Sequence, residues 1–212
     1  MSETQLNAPT RPEPFFVCEH KALDFLSTIA APWGEDIEWI GNGQDLLAWL
    51  SKAELISAED ALFFRSQFES NELDNVATKA RELREWFRAF VEAHAEQPLD
   101  ADSLEELTRI NAILANDDLF RQIELNNSDN AFSWRQNRRW HSAEDLLLPL
   151  AEVMGDLVCS ADFSYVKNCE GPTCTLYFHD VSKNRKRRWC TMSVCGNRAK
   201  AAAHRARNKR TQ

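Results

Sequence analysis

No stretch of this chain approaches the roughly 20 consecutive apolar residues that a bilayer-spanning helix needs, so none is expected. The first 14 residues, Met1 to Pro14, have no apolar h-region, which argues against a signal peptide; they read as a short disordered leader. Glycine is scarce, at six in 212 residues. No G-x-x-x-x-G-K occurs, and Gly41-Asn42-Gly43 is too short to cradle phosphates, which excludes a P-loop. His20, His94 and His141 stand apart from any nucleophile or second ligand and read as surface or satisfied core histidines. With no catalytic set in view, the expectation is a protein that is not an enzyme. A cytoplasmic location is expected as well, where reduced thiols direct clustered cysteines toward metal rather than disulfides.

The chain has ample material for a core: 43% hydrophobic residues, seven Trp and twelve Phe. Residues 15–160 read as mainly helical. Gln44 to Leu50 follows the Gly41-Asn42-Gly43 turn as a short amphipathic helix, and Ser57-Ala-Glu-Asp60 has the form of a helix start. From Glu72 to Ala95, Leu73, Val76, Ala80, Leu83, Phe87 and Val91 recur at three- and four-residue steps, and Pro98 closes the run. Leu104, Leu107, Ile110, Ile113 and Leu114 make a further helix, capped by Asp102 or Ser103. Asp118–Leu125 and Ala131–Arg135 flank a turn-rich link and read as a β-hairpin. Ser142 opens a last helix through Val158, which Pro149 should kink or delay. Cys18 and Cys159 read as buried free thiols.

The remaining four cysteines form two C-x4-C pairs, Cys169/Cys174 and Cys190/Cys195, separated by fifteen residues. A short turn-forming spacer lets two thiolates reach one ion, and Gly171-Pro172 supplies it in the first pair. Two such pairs complete a closed tetrahedral site for one structural Zn2+. A rubredoxin-like iron site would favour tighter C-x2-C pairs. His179 and His204 are within reach but four cysteines already fill the site. A strand from Phe163 through Val166, a second over Thr175–Phe178, and a helix from about Ser193 to Lys209 surround the pairs. Asp180 reads as a turn-bracing carboxylate. The fold expected is α+β: a mainly helical N-terminal domain with a small β-hairpin, then a treble-clef-like or zinc-ribbon-like module over residues 161–212, ending in a basic helix. A segment of about 50 residues buries little core, so the ion should supply much of its folding free energy.

The net charge of −8 hides a division: residues 161–212 hold 12 Lys+Arg against 3 Asp+Glu, leaving 13 against 30 elsewhere. A segment at +9 beside a body at −17 suggests a polyanionic partner for the basic end. The candidate nucleic-acid contacts are Lys183, Arg185, Lys186, Arg187 and Arg188 before Cys190, and Arg198, Lys200, Arg205, Arg207 and Lys209 after Cys195. On a helical wheel Arg198, Arg205 and Lys209 align within about 40° of each other, with Lys200 and Arg207 opposite. Asn184 and Asn197 are candidates for base edges, with bracing of the knuckle as the alternative for Asn197; Trp189 could stack on a base or pack on the knuckle. The helix has no large apolar residues to insert into a membrane. DNA is the leading partner. RNA, or an acidic protein reached by an adaptor, uses the same charges.

Phe178-His-Asp-Val-Ser-Lys-Asn184, Arg187-Arg-Trp-Cys-Thr-Met192 and Cys195-Gly-Asn-Arg-Ala-Lys200 closely resemble the CGNR zinc-finger family. Ala22-Leu-Asp-Phe-Leu-Ser-Thr28 resembles the start of the ABATE domain that commonly precedes this finger, with Ser27 where that domain's LDFxNT segment carries Asn. The resemblance implies a zinc-binding C-terminal domain with Cys169, Cys174, Cys190 and Cys195 as ligands. It also implies a stress-response transcriptional regulator with DNA as target. A homodimer and an effector-sensing body are compatible with it.

Overall fold

The structure is a computed structural model that describes residues 11–31, 35–126 and 130–210, with Lys209 and Arg210 described by backbone alone. Residues 1–10 of the expected leader therefore lie outside the described residues. Arg11 to Pro14 lie against the body: Trp39 Nε1 donates to the Pro12 carbonyl at 2.6 Å, Arg11 pairs with Asp45, and Glu13 pairs with Lys52.

The helical core is built from α1 (Lys21–Leu26), α2 (Gly43–Lys52), α3 (Ala58–Gln67) and α4 (Ser70–His94). Each start has a local cause. His20 accepts from the Ala22 N–H, Asn42 from the Asp45 N–H, and Ser57 and Asp60 cap reciprocally. The α4 run has neither Gly nor Pro, and its periodic residues Leu73, Val76, Ala80, Leu83, Phe87 and Val91 are all buried. Gly43 allows α2 to meet α4 closely, because a Cβ there would stand 2.3 Å from Leu73 Cβ. The expected glycine turn thus serves helix packing.

The helix expected over Leu104–Leu114 is two pieces, α5 (Ser103–Glu106) and α6 (Thr108–Leu114), broken at Leu107. Leu107 and Ile110 turn inward while Leu104 is exposed. Asp102 holds the N-cap position, as expected, but its side chain makes no capping bond; Asp100 accepts from the Ser103 N–H at 3.1 Å instead. The hairpin is present and longer than its alternating pattern, as β3 (Leu119–Asn126) and β4 (Ala131–Arg138). After it, Ser142 and Asp145 cap a 3-10 turn, Ala143–Leu147, and α7 (Leu148–Ser160) starts late with Pro149 in its first turn. Pro149 is thus at a permitted place. Cys18 is fully buried as expected, but Cys159 is exposed near the end of α7 and is not a core thiol.

A two-stranded pair, β1 (Ile29–Ala30) with β2 (Ile37–Glu38), has no counterpart in the sequence reading. It brings Glu38 to Arg84 on α4. Arg84 is buried and forms two hydrogen bonds to the Glu38 carboxylate, at 2.8 and 2.7 Å, and one to Thr28 Oγ1 at 2.8 Å. Buried guanidinium is tolerated only with such complete pairing.

The C-terminal segment has a 3-10 turn, Phe163–Tyr165, then β5 (Val166–Asn168) antiparallel to β6 (Tyr177–His179), a π-helical turn, Met192–Gly196, and α8 (Asn197–Arg210). The expected strand from Phe163 begins three residues later because Asp162 accepts from the Ser164 N–H and turns the chain. The second strand likewise begins two residues after Thr175. The apolar core runs through residue 160 without a break. Phe163, Val166 and Phe178 are buried in it, and Phe163 meets Phe90 edge-on at 5.9 Å between ring centroids. The His179 N–H donates to the Cys18 carbonyl at 2.9 Å, and the Glu96 N–H to Phe163 and Val166 carbonyls at 3.0 Å.

Candidate metal centre

The fold brings Cys169, Cys174, Cys190 and Cys195 together, with one sulfur from each inside a cluster whose members lie within 4.8 Å of one another. Sγ–Sγ distances are 3.8 Å for Cys174–Cys190 and 3.6 Å for Cys190–Cys195. A tetrahedron with Zn–S bonds of about 2.3 Å has edges of about 3.8 Å. The donor set therefore fits one zinc ion, which when bound ties both knuckles to one point. Neither His179 nor His204 enters the cluster.

Each knuckle has a backbone reason for its shape. In the first, the Cys174 N–H donates to the Gly171 carbonyl at 3.0 Å, and a Cβ on Gly171 would lie 3.0 Å from Cys174 Cβ and 3.2 Å from Cys195 Sγ. Glycine leaves that space for sulfur. In the second, Thr191 Oγ1 accepts from the Val194 N–H at 3.2 Å and caps the π-helical turn that carries Cys195. The Cys190 and Gly171 N–H groups point at Cys169 Sγ, at 3.3 and 3.5 Å. Hydrogen bonds from the Cys174 and Cys190 thiols, with those N–H groups, lower the Cys169 pKa to about 2. The shared hydrogen bonds push Cys174 up to about 12 and raise Cys190, while burial raises Cys195. Four crowded sulfurs cannot all ionise alone; a divalent cation at their centre favours four thiolates.

Asp180 organises the loop between the knuckles. Its buried carboxylate accepts from Lys167 Nζ and the Arg187 N–H, both at 2.8 Å, and from the Ser182 N–H at 3.1 Å and hydroxyl. Burial alone would push this carboxyl up; Lys167, Ser182 and the Arg187 N–H outweigh it and hold it well below the usual carboxylate range. Asp180 is the turn brace expected from the sequence, with more partners than a turn requires. Nothing local in the sequence marks Lys167, a lone lysine sixteen positions before the basic run begins at Lys183.

The ten candidate cationic residues divide by environment. Lys183, Arg185, Lys186 and Arg188 are exposed, and Arg188 pairs with Glu170 while lying over the Trp189 ring at 4.9 Å. Arg185 adopts a left-handed backbone, φ 51°, and its guanidinium lies 4.8 Å over the Tyr165 ring. Arg187 is turned inward. It lies 4.5 Å over the Phe178 ring and donates to the carbonyls of Val17, Trp189 and Cys190 and to Glu19. Arg198, Lys200, Arg205 and Arg207 are exposed on α8, and the Lys209 side chain lies outside the described residues. Trp189 is half-buried against the core. Asn197 Nδ2 donates to the Ser193 carbonyl at 3.0 Å, and Asn184 Oδ1 accepts in the loop turn, so both amides brace backbone.

The LDF segment has a structural task too. Asp24 accepts from the N–H groups of Val17 and Cys18 at 2.9 and 3.0 Å, and Ser27 lies 3.2 Å from Cys18 Sγ. It thereby fixes the segment whose Val17 and Cys18 carbonyls receive the finger.

Two family models match this chain: the CGNR zinc finger over residues 165–208, and ABATE, described as "Putative stress-induced transcription regulator", over residues 19–161. No curated protein matches it. Among the described residues no helix is long and apolar enough to cross a membrane. The second match covers more than half of the 212 residues, and all four clustered cysteines fall inside the first. The chain belongs to the ABATE family and carries a CGNR zinc finger over residues 165–208.

Proposed function

We propose that this protein is a zinc-dependent, stress-responsive transcription regulator that holds DNA with its finger, while the helical body senses a signal or mediates dimerisation. One structural Zn2+ sits among Cys169, Cys174, Cys190 and Cys195, and the protein catalyses no reaction. The observation that carries this reading is the division of charge on a clamped frame. A segment at +9 exposes the Lys183–Arg188 loop and α8, and the rest of the chain stands at −17. Phosphates attract the first and are repelled by the second. Lys183, Lys186, Arg188, Arg198, Lys200, Arg205, Arg207 and Lys209 are assigned to phosphates, which positions the protein without reading sequence. Arg187 is assigned to holding the loop.

The test is titration of the zinc-loaded protein with duplex DNA and with structured RNA across salt concentrations. Each phosphate neutralised adds about −0.9 to the log–log salt slope for duplex DNA. Charge reversal at Arg188, Arg198 and Arg205 should flatten that slope and weaken binding. A duplex affinity no better than that for RNA, with no sequence preferred in a random-library selection, would sink the reading.

A further inference from the structure

The register of the β3–β4 hairpin sets Ile123 opposite Trp134 and Leu125 opposite Phe132. Alternation along a strand puts these four on one face. That face is bare: Phe132 is 80% exposed, Trp134 67%, Ile123 66% and Leu125 47%. The other face is polar beyond Phe120, which lies under Arg139, with Glu124 paired to Arg135 at 3.5 Å and Asn137 donating to Gln122 at 2.6 Å. The hairpin is thus amphipathic with its apolar side toward solvent. It is fixed at its base, where Arg138 bridges Asp117 and Glu152, and neither strand pairs with a third among the described residues. An isolated two-stranded hairpin is marginal in water, and a contiguous apolar patch on a monomer marks an interaction site.

We propose that this face is a dimer interface, covered by the same face of a second copy. The proposal gives a surface to the dimerisation assigned above to the body, and rests on that part of the reading. Three observations select a second copy. The four side chains offer on the order of 500 Å2 per protomer, so a twofold pairing buries about 1,000 Å2, the size at which specific interfaces begin. The patch is self-complementary: β3 contributes an aliphatic pair and β4 an aromatic one, with no charge among the four, and Arg121 opposite Gln136 borders it on the side of the hairpin base. A twofold axis parallel to the strands lays the aliphatic column of one copy on the aromatic column of the other. Lastly, the −17 balance outside the finger opposes seating these aromatics in an anionic bilayer.

The experiment is sedimentation equilibrium of the full-length, zinc-loaded protein and of the double variant Phe132→Ser/Trp134→Ser. Metal content and circular dichroism serve as checks on folding. A second variant, Ile123→Ser, probes the aliphatic column. The expected result is a wild-type dimer whose dissociation constant rises at least about 100-fold in the double variant and about tenfold in Ile123→Ser, with metal content unchanged. A wild-type dimer indifferent to both variants overturns this surface and leaves dimerisation standing. A wild-type monomer at every concentration overturns dimerisation itself. Binding to phosphatidylcholine–phosphatidylglycerol vesicles by such a monomer, lost in the double variant, would assign the face to lipid instead. Duplex-DNA titration of the same variants reports on the finger separately.

Discussion

Arg187 Nη1 lies 2.9 Å from Glu19 Oε1, across 168 residues of sequence. The same guanidinium reaches the carbonyls of Val17, Trp189 and Cys190, and its backbone N–H is held by Asp180. One side chain therefore ties the second cysteine knuckle to the start of the helical body. Its position inside a run of basic residues conceals this, since its neighbours Lys186 and Arg188 point outward.

Arg187→Ala should cost about 2 kcal/mol of stability, because it removes charge-assisted hydrogen bonds and leaves part-buried carbonyls without that donor. Lys183→Ala and Lys186→Ala, at exposed positions, should stay within about 0.5 kcal/mol of wild type. Urea denaturation followed by Trp fluorescence distinguishes them. Equal effects at all three positions would contradict the staple role.

Metal removal should unfold more than the finger. Phe163, Val166 and Phe178 belong to the same core as the helices, so chelation is expected to lower the melting temperature of the body as well. Serine at any one of the four cysteines should lower the bound zinc below one per chain, read by elemental analysis. Gly171→Ala should weaken zinc binding about tenfold by crowding Cys174 and Cys195.

Gly43→Ala should destabilise the protein by about 1–3 kcal/mol, since its Cβ would overlap the Leu73 backbone and side chain. The cost is steric rather than conformational, so Gly43→Ser should be at least as harmful. Chemical denaturation of the two variants tests this.

Asp180 should give the fold an acid-dependent contribution. Its carboxyl is held below its ordinary value in the folded state, so its stabilisation is fully present above the unfolded pKa of about 3.9 and is lost as pH falls through the lower folded value. Asp180→Asn should cost about 3 kcal/mol at neutral pH by leaving Lys167 without its anion. The gap between wild type and variant should close below about pH 4. A gap independent of pH down to acid unfolding would contradict the assignment.

Cys159 should react with a thiol reagent in the native zinc-loaded protein, whereas Cys18 should not. Cys159 is exposed; Cys18 is wholly buried, and burial pushes its thiol pKa up. Mass spectrometry of the labelled protein reads the site directly.

Local pattern and local chemistry made much of this molecule legible. The apolar steps from Leu73 to Val91 define α4, the alternation around residues 126–131 defines the hairpin, and the delayed start at Pro149 follows from a missing N–H. The cysteine spacings announced the four-sulfur cluster, because two thiols on one short turn have few uses other than holding a metal. Each of these signals acts within a few residues, where the sequence fixes geometry directly.

Long-range partners were not legible. Nothing near Lys167 announces that it neutralises Asp180, and nothing near Glu38 that it pairs with the buried Arg84. Cys159 reads as a core thiol until the rotation of α7 turns it outward, and Arg187 reads as a phosphate contact until Phe178 and Glu19 receive it. Which face of the hairpin stays bare was equally a matter of tertiary placement, since alternation gives two faces and not their environments. The sequence by itself determined the elements, the four clustered cysteines and the division of charge, through periodicity, spacing and composition. Only the tertiary structure decided which cations are spent inside the protein and which are presented, because that depends on which carboxylates, carbonyls and rings fold to within hydrogen-bonding or stacking distance.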